Sequence, residues 1–119
     1  MQRKLSPSVR ITYFDKEIVW NALLQFAVEL VGRNREIKRI LLFGSLARGE
    51  SVPGSDVDLL IVLNDSNKSF LDRIPEYMPS KFPVSVDVFP YTETELESMI
   101  KDGNFFLKQA LEEGIELLI

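Results

Sequence analysis

A chain of 119 residues with 45% apolar and 27% charged side chains holds enough material for one core, so a single domain over residues 1–119 is expected. It has no cysteine and no histidine, which removes disulfides, the usual zinc sites, thiol nucleophiles and Ser-His-Asp catalysis. The formal net charge of −4 argues against a general nucleic-acid binder, and no apolar run is long enough to span a membrane.

Met1 to Ile11 reads as a loose arm: Pro7 limits regular structure, and the basic Met1-Gln2-Arg3-Lys4 leads into no apolar signal-peptide core. A cytoplasmic protein is therefore expected. From Phe14 to Val31 the positions Ile18, Ala22, Phe26 and Leu30, joined by Val19, Leu23 and Ala27, form a wide helical stripe. Asp15 is placed to cap its start, Gly32 to close its end in the left-handed region, and Trp20 to pack at the stripe's edge. Arg39 to Phe43 reads as a first strand and Val57 to Leu63 as a second, apolar on both faces and so central in its sheet. Pro53-Gly54 marks the turn that delivers Ser55-Asp56 to the second strand. Ser69 to Met78 reads as a short helix with Phe70, Leu71, Ile74 and Tyr77 inward, strained or ended near Pro75.

Val84 to Phe89 alternates and reads as a third strand, stopped by Pro90. Thr92-Glu93-Thr94-Glu95 is a capping box that opens a helix to about Lys101. Asp102-Gly103-Asn104 breaks it, and Phe105 to Glu113 forms a last helix with Phe106, Leu107, Ala110 and Leu111 inward. Gly114 ends that helix, and Ile115 to Ile119 can add a short terminal strand. The order suits an α/β (α+β) domain, a small mixed sheet with helices packed on it.

Chemistry concentrates between the first two strands. Apolar Ile40 to Phe43 run into Gly44-Ser45, where glycine allows a positive φ and the following amides can converge on an anion. Asp56 and Asp58 stand two apart on the next strand, so both carboxylates leave one face. Asp87 sits in an otherwise apolar strand, where an unpaired buried charge costs several kcal/mol. Alone it is more simply an exposed edge residue. One strand beyond an Asp-x-Asp pair, it completes a set of inward carboxylates that calls for cations. Oxygen-only ligands select magnesium or manganese.

The spacing Gly44-Ser45, Arg48-Gly49, Ser55-Asp56-x-Asp58 resembles the signature of the DNA-polymerase-β-like nucleotidyltransferases. The short chain around it is similar to the minimal nucleotidyltransferases of prokaryotes, the antitoxin partners of HEPN-domain toxins. The resemblance implies that Gly44 and Ser45 hold the triphosphate of a bound nucleotide while Arg48 neutralises it. It implies that Asp56 and Asp58 ligate two Mg²⁺ ions (Mn²⁺ being possible) and that Asp87 ligates the catalytic one and helps deprotonate the acceptor. The implied reaction is transfer of AMP from ATP to a hydroxyl, a tyrosine for preference, of a partner HEPN-type toxin, in a hetero-oligomer. The alternative is a binding module that holds nucleotide and masks its toxin sterically. An aminoglycoside-type transferase is weaker, because no second domain is available to cradle a small acceptor.

Blander readings compete. Ser45 can be a plain helix cap and Arg48 a surface ion pair with Glu50. Gly44-x-x-x-x-Gly49-Glu50-Ser51 approaches a P-loop, but Glu50 stands where the lysine belongs. Asp65 to Glu76 mimics an EF-hand loop, but Phe70 occupies its glycine position. A glycosidase pair needs facing carboxylates, and Glu112-Glu113 reads as a solvated helix end.

Overall fold

The computed structural model describes residues 16–50 and 57–118. The N-terminal arm, the Asp15 cap, the Pro53-Gly54 turn and Asp56 lie outside these residues. The described chain forms α1 (Lys16–Arg33), β1 (Ile37–Phe43), β2 (Val57–Leu63), α2 (Phe70–Tyr77), β3 (Val86–Thr92), α3 (Glu93–Lys101), α4 (Phe105–Glu113) and β4 (Ile115–Glu116). The strands make one mixed sheet in the order β3-β2-β1-β4. β1 pairs antiparallel with β2 and β4, and β2 pairs parallel with β3 through the crossover that carries α2.

Side-chain alternation on the two central strands divides the core. Ile40, Leu42, Leu59, Ile61 and Leu63 meet Val19, Leu23, Phe26, Ala27 and Leu30 of α1 on one face. Leu41, Phe43, Leu60 and Val62 meet Leu96 of α3 and Leu107 and Ala110 of α4 on the other. Burying each such aliphatic side chain contributes about 1.5–3 kcal/mol. The α+β fold, the bounds of β2 and the central place of that strand therefore follow the apolar pattern.

Five local expectations need correction, one of them Phe106 of α4, read as inward but 53% exposed. α1 runs through Gly32 and ends at Arg33, and the backbone and side-chain nitrogens of Asn34 just beyond it both donate to the Leu30 carbonyl at 3.0 Å. Ile18, expected inward, is 56% exposed, while Trp20 packs against the core as anticipated. β3 is not stopped by Pro90, which lies within the strand opposite Ile61. A proline is tolerated there because β3 has one neighbour among the described strands, and the side lacking an N–H can face away from the ladder. On α2, Leu71 points to solvent and Arg73 is buried instead.

Arg73 is held by a full set of acceptors. Its guanidinium donates to the carbonyls of Lys68 and Pro90, each at 3.0 Å, and in bidentate fashion to Glu95 at 2.7 and 2.9 Å. A buried cation is tolerable only when so paired. The Arg73 hydrogen bond is the main cause that lowers the Glu95 carboxyl to about 2. Glu95 also accepts from the Thr92 amide at 2.9 Å while Thr92 Oγ1 accepts from the Glu95 amide at 3.1 Å, completing the anticipated capping box. One cluster thus ties α2, β3 and the start of α3 together and fixes the strand that carries Asp87.

Candidate functional site

The site forms where β1 and β2 meet on the α3–α4 face. Phe43 is the register partner of Asp58, and Asp58 is the parallel partner of Asp87. Residues in register across neighbouring strands leave the same face, about 4.8 Å apart. A single row therefore crosses the sheet, one aromatic and two carboxylates, in line with the Leu60–Val62 side of the core. Asp58 is half-buried and Asp87 exposed, the placement that the sequence offered as the simpler one for Asp87 taken alone. The reason is topological: among the described strands β3 lies at the edge of the sheet.

Gly44 follows Phe43 directly with φ +80°, and a Cβ placed there would strike the Asp58 carboxylate. The missing side chain is what allows Asp58 to lie against the turn. Beyond it the chain makes one helical turn rather than a helix. Arg48 N–H donates to the Gly44 carbonyl at 3.2 Å, Gly49 to Leu46 at 3.2 Å and Glu50 to Ser45 at 2.9 Å. With Gly49 at φ +74°, the last two bonds form a Schellman closure. Leu46 is buried in the α1-side core and anchors the turn from below.

Gly44, Ser45, Arg48 and Asp58 line one cleft of about 430 Å³ together with Phe43 and, from α4, Phe106, Gln109, Ala110 and Glu113. That volume suits a small organic ligand. Arg48 donates to Glu50 at 3.1 Å and to Glu113 at 3.5 Å, and the Glu50 bond is the main influence pushing its guanidinium further up. The Glu50 pair expected from the sequence is present, but the view of Glu113 as a mere solvated helix end is corrected. Its carboxylate reaches across the cleft mouth from α4. The positions of Gln109 and Glu113 carry no sequence signal for this role, since only the packing of α4 on the sheet brings them near the turn.

The donors suit a hard divalent cation: Asp58 and Asp87 stand side by side on one face, and Gly44 leaves a cradle over the Asp58 oxygens. Among the described residues no group of three or more metal-ligating side chains gathers. The third carboxylate of the expected set, Asp56, lies outside them. Asp87 stands one strand beyond the residues that line the cleft. Among the described residues no helix is long and apolar enough to cross a membrane.

Comparison with known proteins fits this geometry. A family model described as a nucleotidyltransferase domain matches residues 22–117. Among solved structures, the chain resembles one from Sulfolobus solfataricus assigned as a nucleotidyltransferase, at 19% identity and a TM-score of 0.57, over 82% of this chain and 85% of that one. It also resembles a chain of a toxin–antitoxin complex with AMP-PNP, at 22% identity and a TM-score of 0.54, over 79% and 71%. A mutant of the toxin–antitoxin MntA–HpeT is similar at 18% identity and a TM-score of 0.53, over 79% and 70%. No curated protein sequence matches.

Proposed function

Because the chain belongs to the nucleotidyltransferase domain family, we propose that it transfers AMP from ATP to a hydroxyl of a partner toxin of the HEPN type, taken to be a tyrosine, and so acts as an antitoxin. The observation that carries the proposal is the cleft itself: a glycine turn, a serine and an arginine face Asp58, with Asp87 in register beside it. The likeness to toxin–antitoxin chains, one of them with AMP-PNP, supports the choice of partner and nucleotide.

Each described residue has a task that its position suits, and Asp56 takes the one that the family signature implies. Gly44 lets the triphosphate approach the backbone, and the Ser45 amide and hydroxyl donate to its oxygens. Arg48 exchanges its carboxylate partners for phosphate. Asp56, Asp58 and Asp87 would hold two Mg²⁺ ions, or Mn²⁺, which supply charge neutralisation and in-line orientation of the phosphates when bound. Asp87 accepts the proton of the acceptor hydroxyl. The hydroxyl oxygen bonds the α-phosphorus, the α–β phosphoanhydride bond breaks, and pyrophosphate leaves. AMP on the toxin adds bulk and a negative phosphodiester, which opposes RNA at a cleavage site.

A second reading, an antitoxin that holds nucleotide and masks its toxin sterically, is favoured by one observation: Asp87 is exposed and does not line the cleft. One experiment separates the two. The toxin is incubated with ATP, Mg²⁺ and either wild type or Asp87→Ala, and its intact mass is measured. Wild type should add AMP and Asp87→Ala should not. If the toxin is silenced without mass gain, and equally by Asp87→Ala, masking replaces catalysis.

A further inference from the structure

Helix α4 contributes more to the cleft than a phosphate site needs. Phe106, Gln109, Ala110 and Glu113 fall at i, i+3, i+4 and i+7, one continuous helix face, and all four line it. The wall opposite them is the turn that carries Gly44, Ser45 and Arg48. A triphosphate on the turn leaves the rest of its nucleoside to meet α4.

Two features of α4 suit a base. The Phe106 ring is held edge-on by Phe43 at 5.5 Å and 81° and tilted against Phe89 at 5.6 Å and 56°. Held on two sides, it is nevertheless 53% exposed, an aromatic surface with its orientation already set. Gln109 is oriented as well. Its Nε2 donates to Glu113 Oε2 at 3.0 Å, and a carboxylate offers only acceptors, so the amide must present nitrogen on that side. One N–H is thereby committed. A second N–H and the carbonyl oxygen remain, and where the N–H anti to that oxygen is the one Glu113 takes, they form a donor and acceptor side by side.

That pair discriminates among purines. Adenine presents N7, an acceptor, beside its N6 amine, a donor, and an amide meets both at once. Guanine presents N7 and O6, two acceptors, and its O6 would oppose the Gln109 carbonyl oxygen. We infer that α4 is the base subsite of this cleft, with Phe106 stacking the purine and Gln109 selecting adenine over guanine. The inference rests on the nucleotidyltransferase reading above and names the feature of this chain that chooses its nucleotide.

The test measures dissociation constants for ATP and GTP with Mg²⁺ by titration calorimetry, on wild type, Gln109→Met and Phe106→Ala. Wild type should prefer ATP by about tenfold, and Gln109→Met should bring the ratio to within about twofold, mostly by weakening ATP. Phe106→Ala should weaken both nucleotides by about fivefold or more. Gln109 is exposed, so its methionine variant keeps the fold and decides the selectivity even if Phe106→Ala does not fold. A wild-type ATP-to-GTP ratio retained by Gln109→Met overturns the selectivity assignment. Unchanged affinities in folded Phe106→Ala overturn the stacking assignment. Wild type that binds neither nucleotide overturns the functional reading, and the base subsite with it.

Discussion

Gly44→Ala and Gly49→Ala make a controlled pair, because the two glycines share a left-handed backbone but not a neighbourhood. Their φ angles are +80° and +74°. Among the described residues a Cβ on Gly49 would meet nothing within 4 Å, so its substitution should cost only the backbone penalty, about 1–2 kcal/mol. A Cβ on Gly44 would strike the Asp58 carboxylate, and displacing a packed group adds about 1–3 kcal/mol. At about 4 °C per kcal/mol for a domain of this size, Gly49→Ala should lower Tm by about 4–8 °C, and Gly44→Ala by clearly more. The steric part can be isolated with Asp58→Ala, since the nearest Asp58 atom then left is its Cβ, at 3.6 Å. In that background Gly44→Ala should cost no more than Gly49→Ala. Urea and thermal melts followed by the fluorescence of Trp20, the only tryptophan, give all the required values. If Gly44→Ala costs the same with and without the Asp58 carboxylate, the turn and that aspartate are not in the contact described.

Asp58→Asn should abolish metal-dependent nucleotide binding in calorimetry yet leave the fold intact, or slightly more stable, because it relieves two like charges in register with each other. Unchanged binding would remove Asp58 from the metal site. Ser45→Ala should fold normally and lose roughly 1–3 kcal/mol of ATP affinity, and a variant binding as tightly as wild type would reduce Ser45 to a cap. Glu95 makes a prediction about pH. Its carboxyl is lowered from 4.5 to about 2 in the fold, so it contributes stability above about pH 4.5 that is lost as pH falls toward 2. With its side chain 40% exposed, solvent screening reduces that contribution to about 1–2 kcal/mol. Glu95→Gln should flatten the acid limb of denaturant-measured stability by that amount, and an unchanged slope would contradict the role given to the Arg73 pair.

Much of this protein was legible in the chain because the signals involved are local. The α3 capping box needs only Thr92 and Glu95, three residues apart, and it formed as read. β2 announced itself as a central strand by being apolar on both faces, and α4 by its spacing and its bounding Asn104 and Gly114. The glycine turn and Asp58 were equally plain, since a strand, a positive-φ glycine and a carboxylate strand follow one another along the sequence.

Tertiary placement decided the rest. Pro90 within β3 and the exposure of Asp87 both depend on β3 being an edge strand, and strand order is set by pairing across the chain, not by any window of residues. Nothing local marks Arg73 for burial; Pro90 and Glu95, 17 and 22 residues away, surround it with acceptors. Glu113 and Gln109 reach the cleft only because α4 lays Leu107 and Ala110 on the sheet, which turns the neighbouring helix face toward Gly44 and Arg48. Periodicity tells a helix which side to bury. What its remaining sides will face is set by where the sheet puts the next element, because that contact joins residues far apart in the chain.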